Sequence, residues 1–583
     1  MEISDIVKLF GGLAFFLFGM DVMSKSLEKL AGGKLESILK KMTATPLIGL
    51  FLGTVVTCVI QSSSALTVML VGLVNSGLMS FHQAIGPTFG AGIGTTITAW
   101  ILSLSSIGDT TSLVLQFLKP AVFSLVLAFI GIIFDMFAKK EKVKTTGHIF
   151  IGFAILIFGM ELMSDATEPL TQLDGFGTVV EALTNPIVGL VAAAIFTAVI
   201  QSSSASVGIL QVISLSGKIT FGTAIPLIIG QNIGTCITAI ISAITASRKA
   251  RRVAVLHLII KCLGAVIFLP LYLLGDFLFK FAFVDMAINP VGIAIVHTLF
   301  NIINTVALMP FSNLLEKLVI KLIPDKDIEE KDTLMVVDDR LFRSPAVAVM
   351  ECASATNEMA KLSRKAVIDA MNLFDSYDEK VMESLHQIEN DTDRYEDRLG
   401  TYLVKVSTLS LSQNDSHEVA KMLHAIGDFE RLGDHALNLA KAAKEMKEKG
   451  LSFSAEAQAE IKVLRRAVSR IVENTIFAYE SDDADVAVKI EPLEQVVDKI
   501  TAKIRTRHIE RLQRGECTIE LGFILSDVLT NYERISDHCS NIAVAVIEAK
   551  GDTFDSHKYL NEIKHNNAEF DKAFQEYSQK YAL

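Results

Sequence analysis

The sequence predicts an all-α protein in two parts. The first is a polytopic membrane domain of two inverted-topology repeats with re-entrant helical hairpins. The second is a soluble domain of six helices in two three-helix bundles. Three observations carry this. Up to about Pro324 long apolar runs hold few charges, whereas beyond it Lys, Arg, Asp and Glu are dense and apolar residues recur at helical spacing. In the first part, Gln61-Ser62-Ser63-Ser64-Ala65 returns 140 positions later as Gln201-Ser202-Ser203-Ser204-Ala205. In the second part, acidic motifs return after 103 to 105 positions.

A chain of 583 residues exceeds one hydrophobic core and calls for at least two domains. A hydrophobic fraction of 50% and mean hydropathy of +0.42 fit a lipid bilayer as partner. The net charge of −11 argues against nucleic acid. Six cysteines without paired spacing indicate neither a disulfide framework nor a cysteine metal site. The start, Met-Glu-Ile-Ser-Asp, is acidic where a signal peptide is basic, so the first apolar run is expected to be retained. The expected domains are a membrane domain over 1–323, a linker over 324–341, a soluble domain over 342–555 and a tail over 556–583. Within the first, repeat one covers about 5–138, repeat two about 147–275, and an extra helix 288–310.

Apolar runs of about the 20 residues that cross a bilayer are Ile6–Val22, Phe81–Leu104, Leu113–Phe137, Ile149–Met163, Thr220–Ile244, Val253–Leu274 and Ile288–Met309. The runs Pro46–Leu78 and Pro186–Leu215 differ. Each has Gly breaks and carries its Gln-Ser-Ser-Ser cluster near the middle. One continuous helix would strand four polar side chains at mid-membrane, whereas two half-helices tipped by the serines would not.

The duplication extends beyond the serines. Phe18-Gly19-Met20-Asp21 matches Phe158-Gly159-Met160-Glu161, and Gly94-Thr95-Thr96 matches Gly234-Thr235-Cys236, all 140 apart. Loop charges orient the repeats. The loop with Lys25, Lys29, Lys34, Lys40 and Lys41 has an acidic counterpart with Asp165, Glu168, Asp174 and Glu181; the acidic Gly108-Asp109 loop has the basic counterpart Arg248-Lys249-Ala250-Arg251-Arg252. Equivalent loops thus face opposite sides, which is inverted topology, and the residues after Met309 fall in the cytoplasm. Lys218 alone dissents.

Such repeats build transporters with a midplane site between discontinuous elements. Hydroxyls, amides and half-helix N-termini at the two tips favour an anion. With no Lys or Arg in either hairpin, a co-bound cation would offset an oxyanion's charge. Thr95, Thr96, Asn232 and Thr235 offer the oxygen ligands an alkali cation prefers. Asp21 and Glu161 read as interfacial acids, and His297, Asn301 and Asn304 as inter-helix hydrogen-bonding groups.

These residues resemble the type II sodium–phosphate cotransporter family over about residues 5–310. The resemblance implies that Gln61, Ser62, Ser63 and Ser64 with Gln201, Ser202, Ser203 and Ser204 form the phosphate and sodium sites. The chain departs from that pattern at Gly92, where repeat two has Asn232 and the family usually has Asn in both.

In the soluble part, breaks near Ser376, Gln413-Asn414-Asp415, Lys449-Gly450, Ser481-Asp482-Asp483 and Gly515 divide six helices, three plus three. Four Glu-x-x-x-Asp pairs, Glu389/Asp393, Glu430/Asp434, Glu494/Asp498 and Glu533/Asp537, each set two carboxylates on one helix face. Like charges at that spacing repel. Four such pairs suggest a bound cation, with Mg, Mn or Fe suiting oxygen ligands. The runs Phe429-Glu-Arg-Leu-Gly-Asp434-His435 and Tyr532-Glu-Arg-Ile-Ser-Asp537-His538 resemble the PhoU family over about 343–550. In that family such pairs bind metal clusters. His435 and His538 read as structural bonding groups.

The expected function is cation-coupled transport of inorganic phosphate, with sodium as the coupling ion, across the cytoplasmic membrane by alternating access. A cytoplasmic PhoU-like domain would regulate it, with a homo-oligomer or a phosphate-signalling partner left open. The rival is a membrane-bound phosphate sensor that binds without transporting. No Walker loop, nucleophile–base pair or His-rich metal motif points to an enzyme.

Overall fold

The computed structural model describes residues 3–41, 45–104, 120–171, 174–324, 338–549 and 568–583. The acidic Gly108-Asp109 loop, the start of the Leu113–Phe137 run, most of the 324–341 linker and the first part of the 556–583 tail lie outside them. The chain forms two compact units, one of Met1–Lys331 with Asp338–Ala348, the other of Asp332–Val337 with Val349–Leu583. Among the described residues there is no strand; a single bridge pairs Thr220 with Ala287.

In the first unit, α1 (Ile3–Lys41) is followed by α2 (Pro46–Ile60), α3 (Ser63–Asn75), α4 (Phe81–Gly94), α5 (Thr96–Ser103) and α6 (Pro120–Phe137). The second set is α7 (Glu141–Thr171), α8 (Asp174–Leu183), α9 (Pro186–Ile200), α10 (Ser203–Ser214), α11 (Phe221–Gly234) and α12 (Cys236–Ala243). Helices α13 (Arg248–Phe279), α14 (Pro290–Leu308) and α15 (Ser312–Leu322) complete the unit. Among the described residues, five helices are long and apolar enough to cross a membrane, or six if the bent pair of α8 and α9 is one span. The chain is a multi-pass membrane protein.

The matched glycines of the two repeats explain themselves at the α1–α7 crossing. A Cβ on Gly19 would lie 2.4 Å from the Leu156 backbone nitrogen, and one on Gly159 would lie 2.3 Å from that of Phe16. Backbones this close need residues without side chains. Phe16, Leu156, Met160 and Met163 are buried around the contact.

The predicted runs Phe81–Leu104 and Thr220–Ile244 are each interrupted for one residue, at Thr95 and at Thr235. Residues 174–183, expected to belong to a loop, form α8, whose Val180 and Leu183 pack against a buried cluster. A 106° bend separates α8 from α9. Asn185 makes that bend, capping the amides of Ile187 and Val188 ahead of Pro186 at the first helical position.

The second unit holds six long helices: α16 (Pro345–Asn372), α17 (Glu379–Ser407), α18 (Gln413–Lys449), α19 (Ala455–Ser481), then, after the single turn α20 (Ala484–Ala487), α21 (Ile490–Gln513) and α22 (Ile519–Glu548). The predicted breaks hold. Ser412 caps α18 through the Asp415 amide, and Gly450 and Gly515 take the left-handed conformation at φ 63° and 72°. A shorter helix, α23 (Ala568–Lys580), follows.

Candidate functional site

The two Gln-Ser-Ser-Ser motifs fold alike. Gln61 and Gln201 end α2 and α9 in the left-handed region, each at φ 58°. For a residue with a Cβ that conformation is strained, and a repeated outlier points to a functional turn. Ser62 and Ser202 then cap the next helices, accepting hydrogen bonds from the Ala65 and Ala205 amides at 3.1 and 3.2 Å. Those caps leave the first amides of α3 and α10, on Ser63, Ser64, Ser203 and Ser204, without helical acceptors.

Both tips open onto one cavity of about 290 Å³, lined by Gln61 to Ser64, Gln201 to Ser204, and Leu17, Met20, Asp21 and Ser24 of α1. All eight predicted tip residues are thus brought together. The cavity wall offers hydroxyls, side-chain amides and two helix N-termini, a donor set for an oxyanion. Asp21, which reads from sequence as an interfacial acid, stands on this wall and pairs with Lys25 at 2.8 Å. Ser24, which donates to the Ile60 carbonyl, also escaped the sequence reading, although it lies on α1 one turn beyond the repeated Phe18-Gly19-Met20-Asp21.

The two tips are not equivalent. The Gln61 side chain is buried, donating to the Cys58 carbonyl and accepting from Thr98 Oγ1 at 2.9 Å. Gln201 is exposed. Thr197 Oγ1 is hydrogen-bonded to Ser206 Oγ at 2.8 Å, whereas its counterpart Thr57 Oγ1 is buried without a partner.

The other four predicted residues lie off the cavity lining. Thr96 Oγ1 donates to the Ile93 carbonyl at 2.8 Å and Thr235 Oγ1 to that of Gln231 at 2.9 Å. Thr95 is buried at the α4–α5 break. Asn232 accepts from Lys261 Nζ at 3.1 Å. Lys261 also reaches Asn301 Oδ1 at 2.7 Å, and this buried lysine, like Ser24, is absent from the sequence expectation. Its signal was a lone cation inside the run Val253–Leu274.

In the second unit, ligand atoms of Glu494, Asp498 and Asp537 lie within 4.8 Å of one another. Asp498 Oδ1 is buried without a hydrogen-bond partner, so this carboxylate set fits a cation. Burial pushes Asp498 up, helped by the Glu533 and Asp537 charges, and burial raises Asp537 against the pull of Arg534. Glu533 itself pairs with Arg505 at 3.1 Å.

Asp393 and Glu430 line a second, open hollow with Glu396, His424, Asp428, Arg431 and His538. Burial, then the Asp434 charge, pushes Glu430 up to about 7. Asp434 pairs with Arg431 at 3.2 Å, and Glu389 lies one turn before Asp393 on α17. His538 meets Asp428 Oδ1 at 2.7 Å, His435 meets Asn531 Oδ1 at 2.8 Å, and the two rings stack at 5.5 Å. Each histidine therefore bonds the other repeat, a structural role as the sequence suggested.

The Na+/Pi-cotransporter family model matches residues 15–165 and 166–292, and the PhoU domain model matches 356–443 and 461–546. The chain belongs to the Na+/Pi-cotransporter family and carries a C-terminal PhoU domain. It is similar to "Putative inorganic phosphate export protein YjbB" of Escherichia coli O157:H7, 22% identical over 93% of this chain and 97% of that one. "Uncharacterized protein YqeW" of Bacillus subtilis is 30% identical over 54% of this chain and 97% of its own length. The human "Sodium-dependent phosphate transport protein 2B" is 37% identical over 18% of this chain and 16% of that one. These matches place the family among phosphate transporters rather than enzymes.

Proposed function

We propose that this Na+/Pi-cotransporter family member carries inorganic phosphate across the cytoplasmic membrane in company with sodium, by alternating access at the cavity between the two Gln-Ser-Ser-Ser tips. The observation that carries this is the convergence of two strained helix breaks, 140 residues apart, on one donor-lined cavity. Gln61 is buried and bonded while Gln201 is exposed, the inequivalence expected when one of two related gates is shut. Import and export use the same site, and gradients choose between them.

An inverted relationship between the repeats is supported by the opposed loop charges. The basic stretch after Ser247 is supported as the cytoplasmic end by its own contacts. Arg248 and Arg252 donate to the carbonyls of Pro324 and Ile323, where the chain leaves α15 for the soluble unit. The PhoU domain is read as a cytoplasmic regulator that holds Mg, Mn or Fe between its acidic pairs, supported by the orphaned Asp498 oxygen.

The test is labelled-phosphate flux in proteoliposomes with and without a sodium gradient. Sodium-driven flux is expected. Flux indifferent to sodium would move the coupling to protons or to none. Phosphate binding without flux would replace transport with sensing.

A further inference from the structure

Lys261 stands midway along α13, 5% exposed, where a lone charge is costly unless it is held for a purpose. Its ammonium donates to two amide oxygens, Asn232 Oδ1 on α11 at 3.1 Å and Asn301 Oδ1 on α14 at 2.7 Å. Among the described residues no carboxylate comes within ion-pair reach of it. The titratable groups facing it are His257 on its own helix, His297 on α14 and Cys236 on α12.

The fourth side of the cluster is Gly92 on α4, the counterpart of Asn232 in the first repeat. A Cβ on Gly92 would lie 2.8 Å from Lys261 Nζ and 3.1 Å from Asn301 Oδ1. The ammonium therefore fills the space into which a side chain at 92 would project. One repeat supplies an amide oxygen there; the other supplies room for a cation on a stem. Asn304 Oδ1 and both ring nitrogens of His257 are also buried without partners, and since the neutral ring accepts through one of its nitrogens, two further acceptors are left unused.

An ammonium and a sodium ion carry the same charge and suit the same carbonyl-type oxygens, the ammonium through its three donors. We propose that Lys261 is a tethered cation, holding between the two repeats a place that a coupling sodium ion would take in its absence. This rests on the sodium-coupled reading above. Its consequence is that the chain binds one sodium fewer than its oxygen ligands would otherwise allow.

The test is equilibrium binding of radiolabelled sodium to the purified full-length protein. Lys261→Gln is expected to bind one more sodium per chain than the parent, and sodium should raise its melting temperature more than the parent's. The charge-keeping Lys261→Arg should bind the parental number. A folded Lys261→Gln that binds the parental number or fewer would overturn the proposal. Should that variant not fold in choline, sodium in excess must restore it, as it must for Gly92→Asn/Lys261→Ala; failure of both to recover would overturn the proposal equally. A gained sodium in a chain that shows no phosphate flux would leave the tethered cation standing and remove the transport reading instead.

Discussion

The hydroxyl of Thr98 donates to the side-chain oxygen of Gln61 at 2.9 Å, and this bond fixes one of the two tips in a way its twin is not fixed. Thr238, the counterpart of Thr98, bonds instead to the Thr235 carbonyl at 3.0 Å, leaving Gln201 exposed. Two hairpins with the same turn therefore differ in how their glutamines are held.

Replacing Thr98 with Val keeps the shape and removes the donor. A hydrogen bond of about 1 kcal/mol corresponds to roughly fivefold in an equilibrium. Thr98→Val is therefore expected to weaken phosphate affinity about fivefold, with the protein still folded. Calorimetric titration with phosphate checks this, and an unchanged affinity would show that Gln61 does not need the bond.

Residues 338–343, in sequence the end of a charged linker and the start of the soluble domain, are part of the first unit. Asp338 accepts from Asn75 Nδ2 at 2.8 Å, Arg340 donates to the Ser242 carbonyl and the Thr245 hydroxyl at 2.7 Å each, and Leu341 packs over Gly72. Asn75 ends α3, the helix that begins at the Ser63 tip. A brace on that end restrains the hairpin. Arg340→Ala removes both of its bonds to Ser242 and Thr245 and is expected to raise maximal phosphate flux by up to about 30-fold, two hydrogen bonds' worth, at unchanged phosphate affinity. Equal flux would reduce the contact to an anchor.

The acidic groups of the soluble unit make its stability depend on pH. In the metal-free fold the Glu430 carboxyl keeps its proton up to about 7, against an ordinary 4.5, because it is buried beside Asp434. The folded chain thus binds more protons than the unfolded one between these values. Stability from this group is present below about 4.5 and is lost as pH rises through about 7. Thermal unfolding across that window should show the fall, and Glu430→Gln should flatten it. A divalent cation should oppose the fall, raising the melting temperature more above pH 7 than at about pH 5. A shift independent of pH would argue against carboxylate ligands.

Local signals made much of this molecule legible. Four polar side chains in an apolar run mark each helix break, because their burial demands a turn or a ligand. Gly450, Gly515 and the Ser481-Asp482-Asp483 stretch mark helix ends through their backbone freedom and capping. Contacts between distant segments were not legible. Lys261 meets Asn232 and Asn301 across 29 and 40 positions, and Asp338 meets Asn75 across 263, so no periodicity reports them. The one-residue breaks at Thr95 and Thr235 were hidden for a related reason. Both threonines keep helical backbone angles and still donate their amides four residues back, to Ala91 and Gln231.

The two serine tips are predicted to make one phosphate site rather than two, and counting phosphate on the purified chain tests this most directly. One phosphate per chain is predicted. Either Ser63→Ala or Ser203→Ala alone should weaken binding by roughly 10- to 100-fold, the cost of a hydrogen bond to a charged group. Two phosphates per chain, or undiminished affinity in either variant, would contradict a shared site.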